Sequence, residues 1–339
     1  MNMGDAQQTA FLALAAYLAQ QGYTFVCPTP ESQARVVQQR SGEHCTTLAD
    51  FFGWSLPADE TTLTTLLSLA LLEQLRAASV ITTAERDGLS KANFRLSNFY
   101  LPHIGDSETV RRNSLYYIHS AFPTKDDDAV FFGPDTYFFL DFLDRASSHL
   151  SRKTPTTVVD LCCGSGAGAI HLSHAFPGST VLGLDLNPRA LELGRINAAL
   201  ADCRVDFVES DLYSAISLRT DIDLIVSNPP YIASSADGDI PVYAAGGAQQ
   251  GLALPLRIVE EGVKLLAKDG LLMIYTGVPI SYRRPGHDPF LERLEALQDM
   301  ELLEYRIIHP DMWAEEVGKG AYAEVGRIQV VGAVLRKRG

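Results

Sequence analysis

The chain has 339 residues, room for about two domains, and its 46 % apolar and 20 % charged content fits a globular protein with a sizeable core. A net charge of −13 argues against a generic phosphate-gripping surface, which needs clustered Lys and Arg, and the longest apolar run, around Leu67 to Leu72, is too short for a helix through a bilayer. The five cysteines, Cys27, Cys45, Cys162, Cys163 and Cys203, show neither paired metal spacing nor a disulfide framework, and no basic region precedes an apolar stretch at the N-terminus, so a reducing, cytoplasmic setting is expected.

Residues 1–125 read as a smaller, mainly helical domain. Helical periodicity runs from Thr9 to Gln20. Thr29-Pro30-Glu31 is a cap, a proline at the first helical position and an acid in the first turn. Thr61 to Ala78, rich in leucine, predicts another helix, and Val80 to Thr82 with Phe94 to Leu101 predicts a small hairpin. Helices followed by a hairpin resemble a winged-helix module; a plain helical packing domain fits the pattern equally well. His119, in Tyr116-Tyr117-Ile118-His119-Ser120, is expected to be a structural histidine rather than an acceptor-facing one. Lys125 to Asp128 reads as a solvated loop into the second domain, residues 126–339.

That second domain alternates strand and helix. Strands are expected over Thr156 to Leu161, Thr180 to Leu184, Val205 to Val208, Ile222 to Val226 and Leu271 to Tyr275. Helices are expected over Gly166 to Phe176, Pro188 to Leu200 with Asn187 as cap, Leu252 to Leu266 and Phe290 to Leu297. Two late strands, Leu302 to Ile308 and Arg327 to Leu335, have no clear helix between them and predict an antiparallel edge. The fold class is α/β, a doubly wound, mostly parallel seven-stranded sheet.

Ligand-binding residues are expected at the carboxyl ends of such strands. Asp160-Leu161-Cys162-Cys163-Gly164-Ser165-Gly166-Ala167-Gly168 sits where the first strand turns into its helix, with Gly164 and Gly166 letting a ligand approach the backbone. Asp160 suits a ligand ammonium, Asp185 with Leu186 a ribose, and Asp211 with Leu212 an adenine amino group. Gly164, Gly166 and Ala169 also satisfy the G-x-G-x-x-A pattern of dinucleotide dehydrogenases. S-adenosylmethionine is favoured over a dinucleotide because pyrophosphate has no use for a carboxylate at Asp160, because Asp211 adds a third acidic strand end, and because the fourth strand ends in a turn suited to a methyl acceptor.

That turn is Asn228-Pro229-Pro230-Tyr231. Two prolines end the strand, stiffen the turn and remove two backbone donors. The result is a rigid corner of carbonyl oxygens and one Asn side chain, suited to accept both hydrogens of an NH2 group. The Asn228 oxygen and the Pro229 carbonyl would each take one hydrogen, localise the nitrogen lone pair and stabilise the positive charge that develops there. Tyr231 either packs against a planar acceptor or is a core aromatic. Gly246-Gly247, with Gly251, predicts a flexible loop over the site; Tyr275-Thr276-Gly277 would line it, and Glu315, Glu316 and Tyr322 lie in the loop between the last strands.

From about Val130 to Ile232 the chain resembles the class I S-adenosylmethionine-dependent N-methyltransferases with an Asn-Pro-Pro-Tyr motif, and among them the release-factor glutamine methyltransferases. Gly133-Pro134-Asp135-Thr136 is similar to their Arg-Pro-(Asp/Glu)-Thr segment, with Gly133 in place of Arg, and the first ~120 residues are unlike their usual helical substrate domain. The resemblance implies a Rossmann-like methyltransferase fold, S-adenosylhomocysteine as product, and Asp160, Asp185 and Ser210-Asp211 as cofactor loop, ribose acid and adenine-side motif. Methyl acceptors open at this stage are a protein glutamine, a small-molecule amide or amine, and an adenine in RNA or DNA, the last disfavoured by acidity. A non-catalytic, cofactor-binding regulator is the reading of another class.

Overall fold

The computed structural model describes residues 3–40, 42–43, 45–99, 115–124, 126–150, 154–233 and 244–338. The chain forms two units: Met1–Lys125 with Val130–Asp135 and Arg195–Cys203, and Asp126–Ala129 with Thr136–Gly194 and Arg204–Gly339.

In the first unit, helix α1 (Met3–Gln20) buries Ala10, Phe11, Leu14 and Leu18, one stripe of a 3.6-residue period, and Phe11 meets Phe94 edge to face at 5.1 Å. Helix α2 (Pro30–Gln39) starts as its sequence demands, with the Thr29 hydroxyl accepting from Ser32 N. Helix α3 (Leu48–Phe52), which the sequence pattern did not reveal, is set by a reciprocal Thr47–Asp50 capping box. The single helix expected over Thr61 to Ala78 is two, α4 (Glu60–Leu66) and α5 (Leu69–Ala77). Leu67 is extended, at φ −127° and ψ 146°, and Ser68 caps Leu71 N, so a cap residue inside an apolar run divides it.

The hairpin also differs from expectation. Strand β1 (Ile81–Thr83) pairs with β2 (Ser90–Ala92), while β3 (Phe94–Phe99) pairs with β4 (Leu115–Ser120). Asn93 separates the two pairings: its N–H donates to Val80 O and its side chain to Ser79 O, closing the first hairpin before Phe94. Leu101 lies outside the described residues. Ala58, between α3 and α4, bridges antiparallel to Ser90 of β2. Around β4, Phe132 stacks on Tyr117 and His119, and Asn197 brackets Ile118 by accepting from its N–H and donating to its carbonyl. These contacts explain why segments distant in sequence belong to this unit.

The second unit is built on a seven-stranded sheet of order β12-β13-β11-β8-β5-β6-β7. Its parallel members are β5 (Thr157–Leu161), β6 (Thr180–Asp185), β7 (Asp206–Glu209), β8 (Ile222–Ser227) and β11 (Leu266–Ser281). β12 (Met300–His309) and β13 (Val325–Lys337) complete it, with β13 antiparallel to both neighbours. The sheet and its antiparallel edge agree with the sequence reading. Every residue of β5 is buried, as expected of a strand covered on both faces. β11 is longer than expected: beyond Ile274 it has left β8 and keeps β13 as partner, so Gly277 and Pro279 are accommodated within it.

The chain winds outward from β5 through β6 to β7, then returns to β8 on the other side of β5. That reversal is the switch point where an open α/β sheet forms its crevice. The registers put Leu161 level with Leu184 and with Ser227. Cys162, Asp185 and Asn228 are therefore each the first residue past one common level.

Candidate functional site

The turn after β5 is shaped by backbone that few side chains tolerate. Cys162, Gly164 and Gly166 have φ of 58°, 52° and 82°. Gly166 N–H donates to Cys163 O, and helix α7 (Ala167–Ala175; α6 is Pro134–Ala146) begins immediately afterwards. A Cβ on Gly164 would meet nothing within 4 Å, so its backbone faces open space. A Cβ on Gly166, by contrast, would lie 2.8 Å from the Phe207 ring, which Gly183 and Gly194 also approach. One glycine thus leaves room for a ligand and the other closes the loop on the sheet.

Asp160 is 2 % exposed, and its Oδ2 accepts the Ala169 N–H at 2.7 Å. Burial pushes its carboxyl up to about 8, against the lowering by that amide and with a further rise from Asp185. A carboxyl so short of partners fits a ligand cation. Asp185 lies at the end of β6 with Oδ2 accepting Gly164 N–H at 2.8 Å and Oδ1 accepting Asn187 N–H at 2.9 Å. Burial raises it, and the amides of Asn187, Gly164 and Leu186 oppose the rise. A carboxylate has about four acceptor positions, so it can still accept from a ribose hydroxyl. Leu186 is 63 % exposed beside it, an apolar surface for a ring.

After β7, Ser210 is buried; its Oγ donates to Leu212 O and accepts Ala215 N–H at 3.1 Å. The Asp211 carboxylate is mostly exposed, 3.9 Å from Arg257 Nη2. Leu212 has φ 48° and buries its side chain in the core, which leaves its backbone, not its side chain, for a ligand. Cys162, whose thiol burial keeps protonated, lies beside Ser227, and Ser227 Oγ donates to Leu161 O, tying β8 to β5 at the site.

Asn228 comes directly after, half-buried, and neither its carboxamide nor the Pro229 carbonyl has a hydrogen-bond partner among the described residues. Tyr231 is 5 % exposed and its Oη accepts Trp313 Nε1–H at 2.8 Å. Its ring lies against Gly277, where a Cβ would fall 2.5 Å from Cε2. In this structure Tyr231 is a packed aromatic rather than an exposed platform.

Gly246 and Gly247 do not form the expected flexible loop. They belong to strand β10 (Ala245–Gly247), parallel to β9 (Ile232–Ala233), and Gly246 and Gly251 press against the backbone of Tyr231. The glycines here serve close approach. Tyr243 lies outside the described residues. Tyr275 and Thr276 are fully buried, and Tyr322 is a buried anchor, its Oη accepting Ala233 N–H at 2.7 Å. His119 is a core residue of the first unit, with Nε2 bonded to Ser97 Oγ and its ring held neutral by burial and by Arg95. Trp313 escaped the sequence reading; a tryptophan in a polar interstrand loop was the available signal.

Residues 135–294 match the methyltransferase small domain family. The chain is similar over 158 residues, at 35 % identity, to the release factor glutamine methyltransferase of Deinococcus radiodurans, covering 44 % of this chain and 55 % of that protein. It is similar over 136 residues, at 34 % identity, to the ribosomal protein uL3 glutamine methyltransferase of Xanthomonas campestris pv. campestris, covering 38 % and 44 %. A 100-residue stretch is 50 % identical to the uncharacterized MG259 homolog of Mycoplasma pneumoniae, 28 % of this chain and 22 % of that protein. The chain thus spans about half, or less, of the length of these relatives. No helix among the described residues is long and apolar enough to cross a membrane, and no group of three or more potential metal ligands occurs among them.

Proposed function

We propose that this chain, whose second unit carries a class I S-adenosylmethionine-dependent methyltransferase domain, methylates a carboxamide nitrogen, that of a protein glutamine or of a small molecule presenting the same group. The observation that carries the reading is the unpartnered pair of acceptors, Asn228 Oδ1 and the Pro229 carbonyl, on a stiff turn at the switch point one strand from the Asp160–Gly168 loop. Asp160 would hold the cofactor's ammonium, Asp185 its ribose hydroxyls, and the Ser210–Leu212 turn its adenine edge. Bound there, the cofactor supplies an electrophilic methyl on a sulfonium.

The chain's own part is to prepare the nitrogen. An amide nitrogen is a poor nucleophile because its lone pair is delocalised into the carbonyl. Two oxygens accepting its two hydrogens draw the lone pair back onto nitrogen. The same oxygens stabilise the positive charge that grows as the new C–N bond forms, and the surplus proton leaves to water afterwards. Held in-line geometry supplies most of the remaining acceleration, on the order of 7–11 kcal/mol in well-oriented systems. The three acids around the loop suit a cationic cofactor.

The relatives named as glutamine methyltransferases support the carboxamide class. A nucleic-acid acceptor is disfavoured by the first unit. Its helix α5 has a single cation, Arg76, and that side chain is bound to Glu60. We assign acceptor recognition to this unit. Transfer of labelled methyl from S-adenosylmethionine to release factor, to uL3, to total RNA and to DNA, with Asn228→Ala as control, tests the reading. Label entering protein and lost in Asn228→Ala supports it. Label entering nucleic acid, or near-normal turnover in Asn228→Ala, refutes it, and cofactor binding without turnover on any acceptor would favour a regulator.

A further inference from the structure

The two acceptors on Asn228 and Pro229 need the turn held from behind, because their own atoms make no protein hydrogen bonds among the described residues. We infer that the loop from Asp311 to Ala323 is the positioning device of this turn, with Trp313 and Tyr322 as the residues that set it; the inference rests on the acceptor-gripping reading above. Trp313 Nε1–H donates to Tyr231 Oη at 2.8 Å. Tyr322 Oη accepts Ala233 N–H at 2.7 Å and donates to Gln250 O at 3.3 Å. Gln250 Nε2–H returns the contact to Ala321 O at 3.0 Å. The loop therefore grips the chain three and five residues after Asn228, at the residue before the short β9 and at its last residue.

The loop is itself anchored. Met312 N–H donates to Ile328 O at 2.8 Å, Ile328 N–H to Asp311 Oδ1 at 3.3 Å, Glu316 N–H to Trp313 O at 2.9 Å and Tyr322 N–H to Lys319 O at 2.7 Å. Trp313 sits at φ 63°, a left-handed conformation a bulky residue adopts only where its surroundings over-determine it. The anchoring bonds hold that strain in place and aim the indole at the tyrosine hydroxyl. Gly277 closes in on the ring of Tyr231 while Gly246 and Gly251 crowd its backbone, so the residue is confined at both ends when the indole holds its hydroxyl. A hydroxyl tethered at one end and a glycine-packed ring at the other fix the strand-end corner on which Asn228 stands. Trp313 and Tyr322 do not touch the reacting atoms; they act through Tyr231 and Ala233.

The decisive variants are Trp313→Phe and Tyr322→Phe, which keep an aromatic ring and remove a single hydrogen-bonding group each. The first readout needs no acceptor: amide hydrogen exchange across residues 228–233 in the full chain bound to S-adenosylhomocysteine. Ten- to hundred-fold faster exchange is expected in Tyr322→Phe, largest at the Ala233 amide, and a smaller but clear acceleration in Trp313→Phe. The second is turnover with release factor as acceptor. There kcat should fall ten- to hundred-fold, because ångström-scale misplacement of a reacting group costs about 10²-fold, while cofactor affinity stays within twofold. Exchange within twofold of wild type in both variants overturns the inference. So does a loss of cofactor affinity equal to the loss of turnover, which marks general loosening of the unit. Asn228→Ala separates the two levels. Wild-type exchange with no turnover in that variant upholds the acceptor reading whichever way the loop variants fall; undiminished turnover removes that reading and this inference with it.

Discussion

Replacing Asp160 by Asn should make the cofactor-free protein more stable and the cofactor bind more weakly, two effects of opposite sign from one buried carboxyl. Asp160 is 2 % exposed with one amide donor, and burial raises its folded pKa to about 8, far above the value near 3.9 of an unfolded chain. With the folded value above the unfolded one, the protonated form is the better-tolerated one. Its stability is fully present below about pH 4 and is lost progressively as pH rises to about 8. Each pH unit in that window costs wild type about 1.4 kcal/mol relative to an uncharged isostere, so the advantage of Asp160→Asn should grow by about 3 kcal/mol between pH 5.5 and 8. The Asn Oδ1 still accepts from Ala169, so nothing else is removed. S-adenosylmethionine should bind Asp160→Asn about ten- to a hundred-fold more weakly, the ~1.5–3 kcal/mol of hydrogen bonds to a charged partner. Binding to wild type at pH 7 should release close to one proton, about 0.9 for a carboxyl of pKa about 8, as the carboxyl ionises against the ammonium. Urea denaturation across pH, and calorimetry in buffers of different ionisation enthalpy, measure both. A variant no more stable than wild type at pH 8, or one that binds the cofactor equally well, refutes the assignment of Asp160.

Other expectations are as definite. Gly277→Ala places a methyl against the Tyr231 ring, 2.5 Å from Cε2, an overpacking that should cost about 1–3 kcal/mol in urea and reduce turnover more than cofactor affinity; wild-type turnover would show that the tyrosine's position is immaterial. In the first unit, Asp50 is held at about 2: burial would raise it, but Arg40 at 2.6 Å and donors from Thr46 and Thr47 prevail. Asp50→Asn should therefore cost that unit about 1–2 kcal/mol above pH 4, a difference that fades as pH falls towards 2, followed by thermal melts across acid pH. Asp185→Asn replaces an oxygen that accepts from Gly164 or Asn187 with an NH2, so it should disturb the loop and weaken cofactor affinity at least tenfold while leaving the Ala233 amide protected; unchanged affinity would remove Asp185 from the site.

Sequence and structure agree best where one local signal suffices. Buried parallel strands announce themselves as unbroken β-branched runs, as in Thr157–Leu161, and Thr29 and Asn187 mark helix starts by chemistry that acts within three residues. The placement of Asp160, Asp185 and Asn228 at or beside strand ends was legible for the same reason, each being a polar residue near the end of an apolar run. Contacts between distant segments were not. Ser90–Ala92 is too short and polar to read as a strand, and its partnership with Ile81–Thr83 is decided by Asn93. Gly246, Gly251 and Gly277 read as loop or lining residues because the sequence does not show the Tyr231 they pack against. Ser68 split a leucine-rich helix because capping competes with propagation at that point, a contest settled by energies of about 1 kcal/mol.

Under the proposed site, the common level of Cys162, Asp185 and Asn228 makes distance along the strands a functional quantity. β8 is held on both flanks, by β5 and β11, and Asp223 Oδ2 accepts the Thr156 and Thr157 amides at its start, so it has no freedom to slide. One residue inserted between Ile222 and Ser227 would carry Asn228 about 3.3 Å further out and turn its side chain to the opposite face. Transplanting the tetrapeptide to another scaffold would then fail unless the ruler beneath it, six residues from Ile222 to Ser227, travelled with it.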